Sequence, residues 1–157
     1  TFNENNISMY SVNAGIPKTL IPHIISHLSD TDEFSSLKDV LSDVINTPIS
    51  PELLPPEKDG NIAQKTQDLV GPYILHDFFL FYTVKYGFSK QKILFLANKA
   101  FDKQFDEETI EKWLDTFLSR FKTQQFKRNC QPDGVKVGTI CLSPRGDWKM
   151  PSDTSSL

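Results

Sequence analysis

The chain has 157 residues, a formal net charge of −3, and hydrophobic and aromatic contents of 38% and 11%. That size suits one domain or a piece of one, and the apolar content suffices for a core, which excludes wholesale disorder. The acidic balance argues against a general nucleic-acid binder, which is basic overall, and the apolar runs are far too short to cross a bilayer.

In chain order, residues 1–15 are polar and turn-rich. The start, TFNENNISMY, lacks an initiator Met and reads as mid-chain sequence, so an excised or processed fragment is expected. IPKTLIPHIISHLS follows, with Leu20, Ile24, Ile25 and Leu28 at helical spacing. Pro17 suits a first helical turn, and Pro22 is tolerated only if the helix starts near Lys18 or Thr19. A second helix is predicted across FSSLKDVLSDVINT, with Leu37, Val40, Leu41, Val44 and Ile45 on one face. Residues 46–71 differ: Pro48, Pro51, Pro55 and Pro56 and two glycines make a long irregular loop. Within it, SPEL carries the signature of a short helical turn, with Ser50 as N-cap and Pro51 next.

Three more helices are predicted. PYILHDFFLFYTVKYG is apolar nearly all round, which places it centrally, and it stops at Gly87. SKQKILFLANKAF is capped by Ser89. DEETIEKWLDTFLSRFKTQQFKR starts at Asp106 with acids in its first turn and ends in Lys and Arg, matching the helix dipole. Ile110, Trp113, Phe117 and Phe121 form its predicted buried stripe. After Cys130, VKVGTICLS reads as a short extended segment and the rest as a tail. No repeat or low-complexity run is present.

Cys130 and Cys141 match no metal spacing and no disulfide framework, and no signal peptide is visible; a reducing cytoplasm is the simpler expectation. His23 and His27 stand four apart on one helix, yet without a third ligand they are expected to be solvent-facing or capping rather than metal-binding. The neighbours His76 and Asp77 point apart on a helix and form no dyad. Between Arg120 and Lys149 there are seven bases and two acids. Placed by a helix end and Gly/Pro turns, these suit phosphate or carboxylate binding; on charge alone a solvated basic surface is favoured.

The segments MYSVNAGIPKTL, SPELLPP, VGPYILHDFFLFY, KYGFSKQKILFLANKAF and QQFKRNCQPDGVKVG…LSPRGDWKMPSD, in this order, resemble the C-terminal portion of glutamine-dependent NAD+ synthetase. The resemblance covers nearly the whole chain. It implies the helical, C-terminal part of an α/β ATP-pyrophosphatase (adenine nucleotide α-hydrolase-like) fold, so residues 1–157 are expected to be mainly α with an extended tail. The family's activity is a carbon–nitrogen ligation. The carboxylate of deamido-NAD (nicotinic acid adenine dinucleotide) is adenylated with ATP and Mg2+, and ammonia then displaces AMP to give NAD+. The ammonia comes from glutamine at an N-terminal glutaminase domain. The family's SGG-x-D-S ATP loop is absent from these 157 residues, as is that glutaminase domain, so no catalytic residue is assigned and the chain alone is expected to be inactive.

Residue by residue, the resemblance places Lys127 of QFKR on deamido-NAD, with Arg128 a second contact for the same anions. Thr1 and Phe2 match the end of a stretch that lines the nicotinate pocket. Lys18 falls where the family has a base near the ATP phosphates, and Ser50 lies in a loop that closes over the active site. A homo-oligomer is expected, with no nucleic acid and no membrane partner. The alternative is a non-catalytic oligomerisation or interaction module, in which the helices form an interface and the tail wraps a neighbour.

Overall fold

A computed structural model describes residues 9–47 and 70–155; Thr1, Phe2, Ser50 and the SPEL turn lie outside the described residues. Among the described residues all regular structure is helical and no strand is present. The chain divides into two compact units, Pro17–Tyr73 and a second formed by Thr1–Ile16 with Ile74–Leu157.

In the Pro17–Tyr73 unit, helix α1 (Leu20–Ser29) packs against α2 (Lys38–Asn46), with a 3-10 turn, Ser35–Leu37, between them. Pro22 is the third residue of α1, inside the first turn, where a missing N–H costs no intrahelical bond. The Leu20 amide donates to the Pro17 carbonyl at 3.0 Å, so Pro17 sits one turn upstream of the helix. Beyond α1, Lys38 Nζ reaches Asp30 Oδ1 at 2.8 Å, a solvent-exposed pair.

The other unit holds α3 (Tyr73–Tyr86, of which it takes Ile74 onward), α4 (Lys90–Ala100), α5 (Glu107–Thr123) and α6 (Gln125–Asn129). As its apolar circumference predicts, α3 is central: Leu75 and Phe79 are fully buried, and Phe78, Leu80, Tyr82 and Val84 pack around the same core. Gly87 ends α3 at φ +61°, a left-handed position that glycine takes at little cost. The Ser89 hydroxyl then caps α4 by accepting from the Lys92 amide, and Asp106 caps α5 by accepting from the Thr109 amide at 2.8 Å. Lys90 bridges from α4 to Glu111 and Asp115 of α5.

Two expectations about the long acidic-to-basic helix are corrected. The buried stripe of α5 is Ile110, Leu114, Phe117 and Phe121; Trp113 is only half-buried, with the Lys112 ammonium 4.8 Å from its ring. Positions 110, 114, 117 and 121 follow a spacing of four and three and stay on one line, while 113 is rotated off it. The helix also does not run on to Arg128. Gln124 leaves helical geometry at φ −97°, ψ 15°, and α6 begins anew at Gln125. Residues 135–143, expected to be extended, form no strand; they are irregular backbone held by side chains.

Candidate functional site

The α5–α6 junction and the tail form one bonded assembly. Gln125 is fully buried, a costly place for an amide unless its polar atoms are paired. Its Nε2 donates to Asn129 Oδ1 at 2.7 Å, and its Oε1 accepts from Arg128 Nε at 3.0 Å and Nη2 at 2.7 Å. Arg128 Nη2 also donates to the Phe121 carbonyl, and the guanidinium lies 4.4 Å from the centre of the Phe121 ring. A side chain thus supplies a donor to a helix end whose carbonyls lack one. Burial lowers the pKa of Arg128 from its ordinary value, but guanidinium stays charged in proteins.

Asn129 faces the tail. Its Nδ2 donates to the Met150 carbonyl at 3.2 Å and to Ser152 Oγ at 2.7 Å. Trp148 packs on Phe121 with ring centres 5.0 Å apart and joins the core of the unit. Among the described residues its buried Nε1 has no hydrogen-bond partner, so the ring is held by packing.

Between these anchors the tail is cross-linked to itself. The Asp147 amide donates to the Cys141 carbonyl at 2.9 Å, while the Cys141 amide donates to Asp147 Oδ2 at 2.8 Å. Lys136 Nζ donates to Asp147 Oδ1 at 2.9 Å. The Lys136 hydrogen bond, then the Cys141 amide, hold the Asp147 carboxyl below the usual carboxylate value. Arg145 pairs with Asp133, whose carbonyl accepts from the Ser11 amide at 2.9 Å. Gly146 closes the turn: a Cβ there would lie 2.3 Å from the Cys141 carbonyl oxygen.

The basic run therefore splits by role. Arg128, Lys136 and Arg145 are struts within the protein. Lys127 is exposed on α6, its ammonium 5.9 Å from the centre of the Phe126 ring, where the helix C-terminus favours a cation. Lys18 is exposed just before α1, with its ammonium 5.7 Å from the centre of the Tyr73 ring. Lys127 and Lys18 belong to different units. His23 and His27 are both exposed, and His76 meets the Phe117 ring edge-on at 5.7 Å.

Neither motif nor charge singles out Gln125 and Asn129 in the sequence. Their spacing of four on a helix, a known pairing distance for amides, is the signal that could have found them. Charge alone leaves Arg145, Asp147 and Trp148 without a role; Trp148 anchors the tail to its own unit, and Arg145 and Asp147 cross-link the tail to itself.

Among the described residues no three His, Cys, Asp or Glu side chains converge as metal ligands, and no helix is long and apolar enough to cross a membrane. Magnesium that travels with a nucleotide is held by one or two carboxylates and the phosphates, and no donor in this chain is assigned to it.

No family model matches the chain. It is 39% identical over 171 aligned residues to the glutamine-dependent NAD(+) synthetase of Mycobacterium leprae, a match covering 97% of this chain. The glutamine-dependent NAD(+) synthetases of Mycobacterium bovis and Mycobacterium tuberculosis match at the same identity and coverage. In each case the chain spans about a quarter of the relative's length, 25%. Over 97% of its residues, the chain is thus similar to a quarter-length segment of glutamine-dependent NAD(+) synthetases.

Proposed function

We propose that this chain is the C-terminal substrate-binding part of an ATP-dependent amide ligase that converts deamido-NAD to NAD+, using ammonia released from glutamine. The observation that carries the reading is the similarity over 97% of the chain to glutamine-dependent NAD(+) synthetases. It is supported locally by Lys127, an exposed cation on a helix whose neighbours are tied down. In this reading the Lys127 ammonium pairs with an anionic group of deamido-NAD, its carboxylate or pyrophosphate, and orients it for attack. Arg128 keeps its proposed place as a second contact for the same anions, and because its Nε and Nη2 donate to Gln125 and Phe121 it also holds the helix that carries Lys127. Lys18 is proposed beside the ATP phosphates, and Thr1, Phe2 and Ser50 keep their proposed places at the nicotinate pocket and the closing loop. ATP supplies the adenylate that activates the carboxylate, with Mg2+ on its phosphates. The chain by itself holds only part of this machinery and is proposed to be inactive alone.

Steady-state kinetics of Lys127→Ala in the full-length protein test the assignment. The KM for deamido-NAD should rise, or turnover should fall, by about tenfold, the scale of a lost charge-assisted hydrogen bond. Unchanged kinetics refute the assignment. Formation of NAD+ from ATP, deamido-NAD and ammonia by the 157-residue chain alone would refute its proposed dependence on the rest of the enzyme.

A second role is favoured by apolar exposure on the helical pair: Leu37 is 47%, Val40 60% and Val44 53% exposed. Such a surface suits an interface within a homo-oligomer. Sedimentation of a Val40→Glu, Val44→Glu variant should show a smaller assembly than the parent; an unchanged assembly refutes this role.

A further inference from the structure

We infer that Asn129 is a positioning residue for Lys127, and that residues 148–152 of the tail act on substrate binding through it. The inference rests on the proposed contact between Lys127 and deamido-NAD, and concerns what places that lysine.

The five-residue helix α6 is too short to hold itself in water, where isolated helices need about 12 residues or more. Nor does it inherit its direction from α5, because the backbone breaks at Gln124. Its orientation comes from side chains at both ends. On the α5 side, Arg128 ties back to the Phe121 carbonyl, while its bonds to Gln125 brace α6 internally. On the other side, Asn129 ties forward across 21 and 23 residues of sequence to Met150 and Ser152. Trp148 pins the approach to that contact by packing on Phe121, the residue whose carbonyl receives Arg128. Lys127 lies between Gln125 and Asn129 and is exposed; its own amide donates to the Gln124 carbonyl at 3.1 Å, and those two neighbours hold the turn that carries it. The two ends meet in one amide: Asn129 Oδ1 accepts from Gln125 while Nδ2 donates to the tail. Losing the donor breaks the tie to the Met150 carbonyl and leaves the Gln125 contact in place, while the Ser152 hydroxyl can still donate to a carboxylate at position 129.

Asn129→Asp in the full-length protein makes that change, since a carboxylate accepts but does not donate. The KM for deamido-NAD should rise about fivefold, the scale of a lost hydrogen bond, with the KM for ATP moved less than about twofold. Ser152→Ala, which removes one surface hydroxyl, should act in the same direction by about twofold and guards against misfolding of the first variant. Trp148→Phe should retain near-parent kinetics where Trp148→Ala does not, because the indole N–H makes no hydrogen bond among the described residues. The decisive measurement is the double variant Lys127→Ala, Asn129→Asp. If Asn129 acts through Lys127, the double variant should be no worse than Lys127→Ala alone. Additive effects, or an Asn129→Asp variant with unchanged KM where Lys127→Ala has a raised one, overturn the positioning role while leaving the Lys127 contact standing. A Lys127→Ala variant with unchanged kinetics overturns the contact itself and this inference with it.

Discussion

Replacing Gly146 by Ala isolates what the turn in SPRGDW requires. The added methyl would sit 2.3 Å from the Cys141 carbonyl oxygen and 3.0 Å from that of Ser143, and both obstacles are backbone. Neither can rotate away as a flexible side chain would. The turn must open, and with it go the Gly146 amide bond to Ser143, 2.7 Å, and the paired bonds between Asp147 and Cys141. Overpacking costs about 1–3 kcal/mol, and each broken hydrogen bond adds about 1 kcal/mol net. With partial relaxation the local cost is about 2–4 kcal/mol. Hydrogen exchange at the Cys141 amide reads this directly, because that proton is protected only while Asp147 holds it. Its exchange should accelerate about 30- to 1,000-fold. Gly87→Ala is the control: its φ is +61° but, among the described residues, no atom lies within 4 Å of an added methyl, so only the left-handed backbone cost of about 1–2 kcal/mol applies, at the end of α3. Cys141 exchange in Gly146→Ala within about threefold of the parent would show the turn to be loose, and would refute the cross-linked tail.

The tail should also respond to acid. Because the folded Asp147 carboxyl is depressed, its contribution is complete above the unfolded value near 3.8 and is lost as pH falls below it through the folded value. Cys141 amide protection should therefore hold at neutral pH and fall below about pH 4, and Asp147→Asn should remove that dependence; the same acid profile in both proteins refutes it. In the core, Leu114→Ala should cost about 3 kcal/mol in chemical denaturation, and a loss under about 1 kcal/mol would reject Leu114 as a stripe residue. Removing the α5 cap with Asp106→Ala should cost about 1 kcal/mol and speed exchange at the Thr109 amide, whose unchanged protection would contradict the cap.

The central helix is legible in the sequence because PYILHDFFLFYTVKYG is apolar nearly all round and ends in a glycine, and local sequence suffices for both signals. The caps at Ser89 and Asp106 are legible for the same reason: a short polar side chain and the amide three residues on make a complete motif. The stripe of α5 is off by one position when read from the sequence, since Trp113 and Leu114 are both apolar and only packing against the neighbouring helices decides which turns inward. The break at Gln124 leaves no local mark. Gln, Gln and Lys are all sound helix formers, and the competing donor, Arg128, is decisive only once it folds back onto Phe121.

The candidate site divides in the same way. Lys127 is named by its motif, but the motif is silent on what holds it. The ties from Asn129 to Met150 and Ser152 join residues more than twenty positions apart, and such contacts have no periodicity to read. The basic run likewise reads as surface on charge alone, because composition does not say which cations have partners. By itself the sequence determined most of the helical elements, the caps at Ser89 and Asp106, and the resemblance to glutamine-dependent NAD(+) synthetases, since each rests on residues within a few turns or on ordered motifs. Only the tertiary structure decided which of seven bases are struts, because a cation's role depends on the acceptor it meets, and here those acceptors are brought together only by folding.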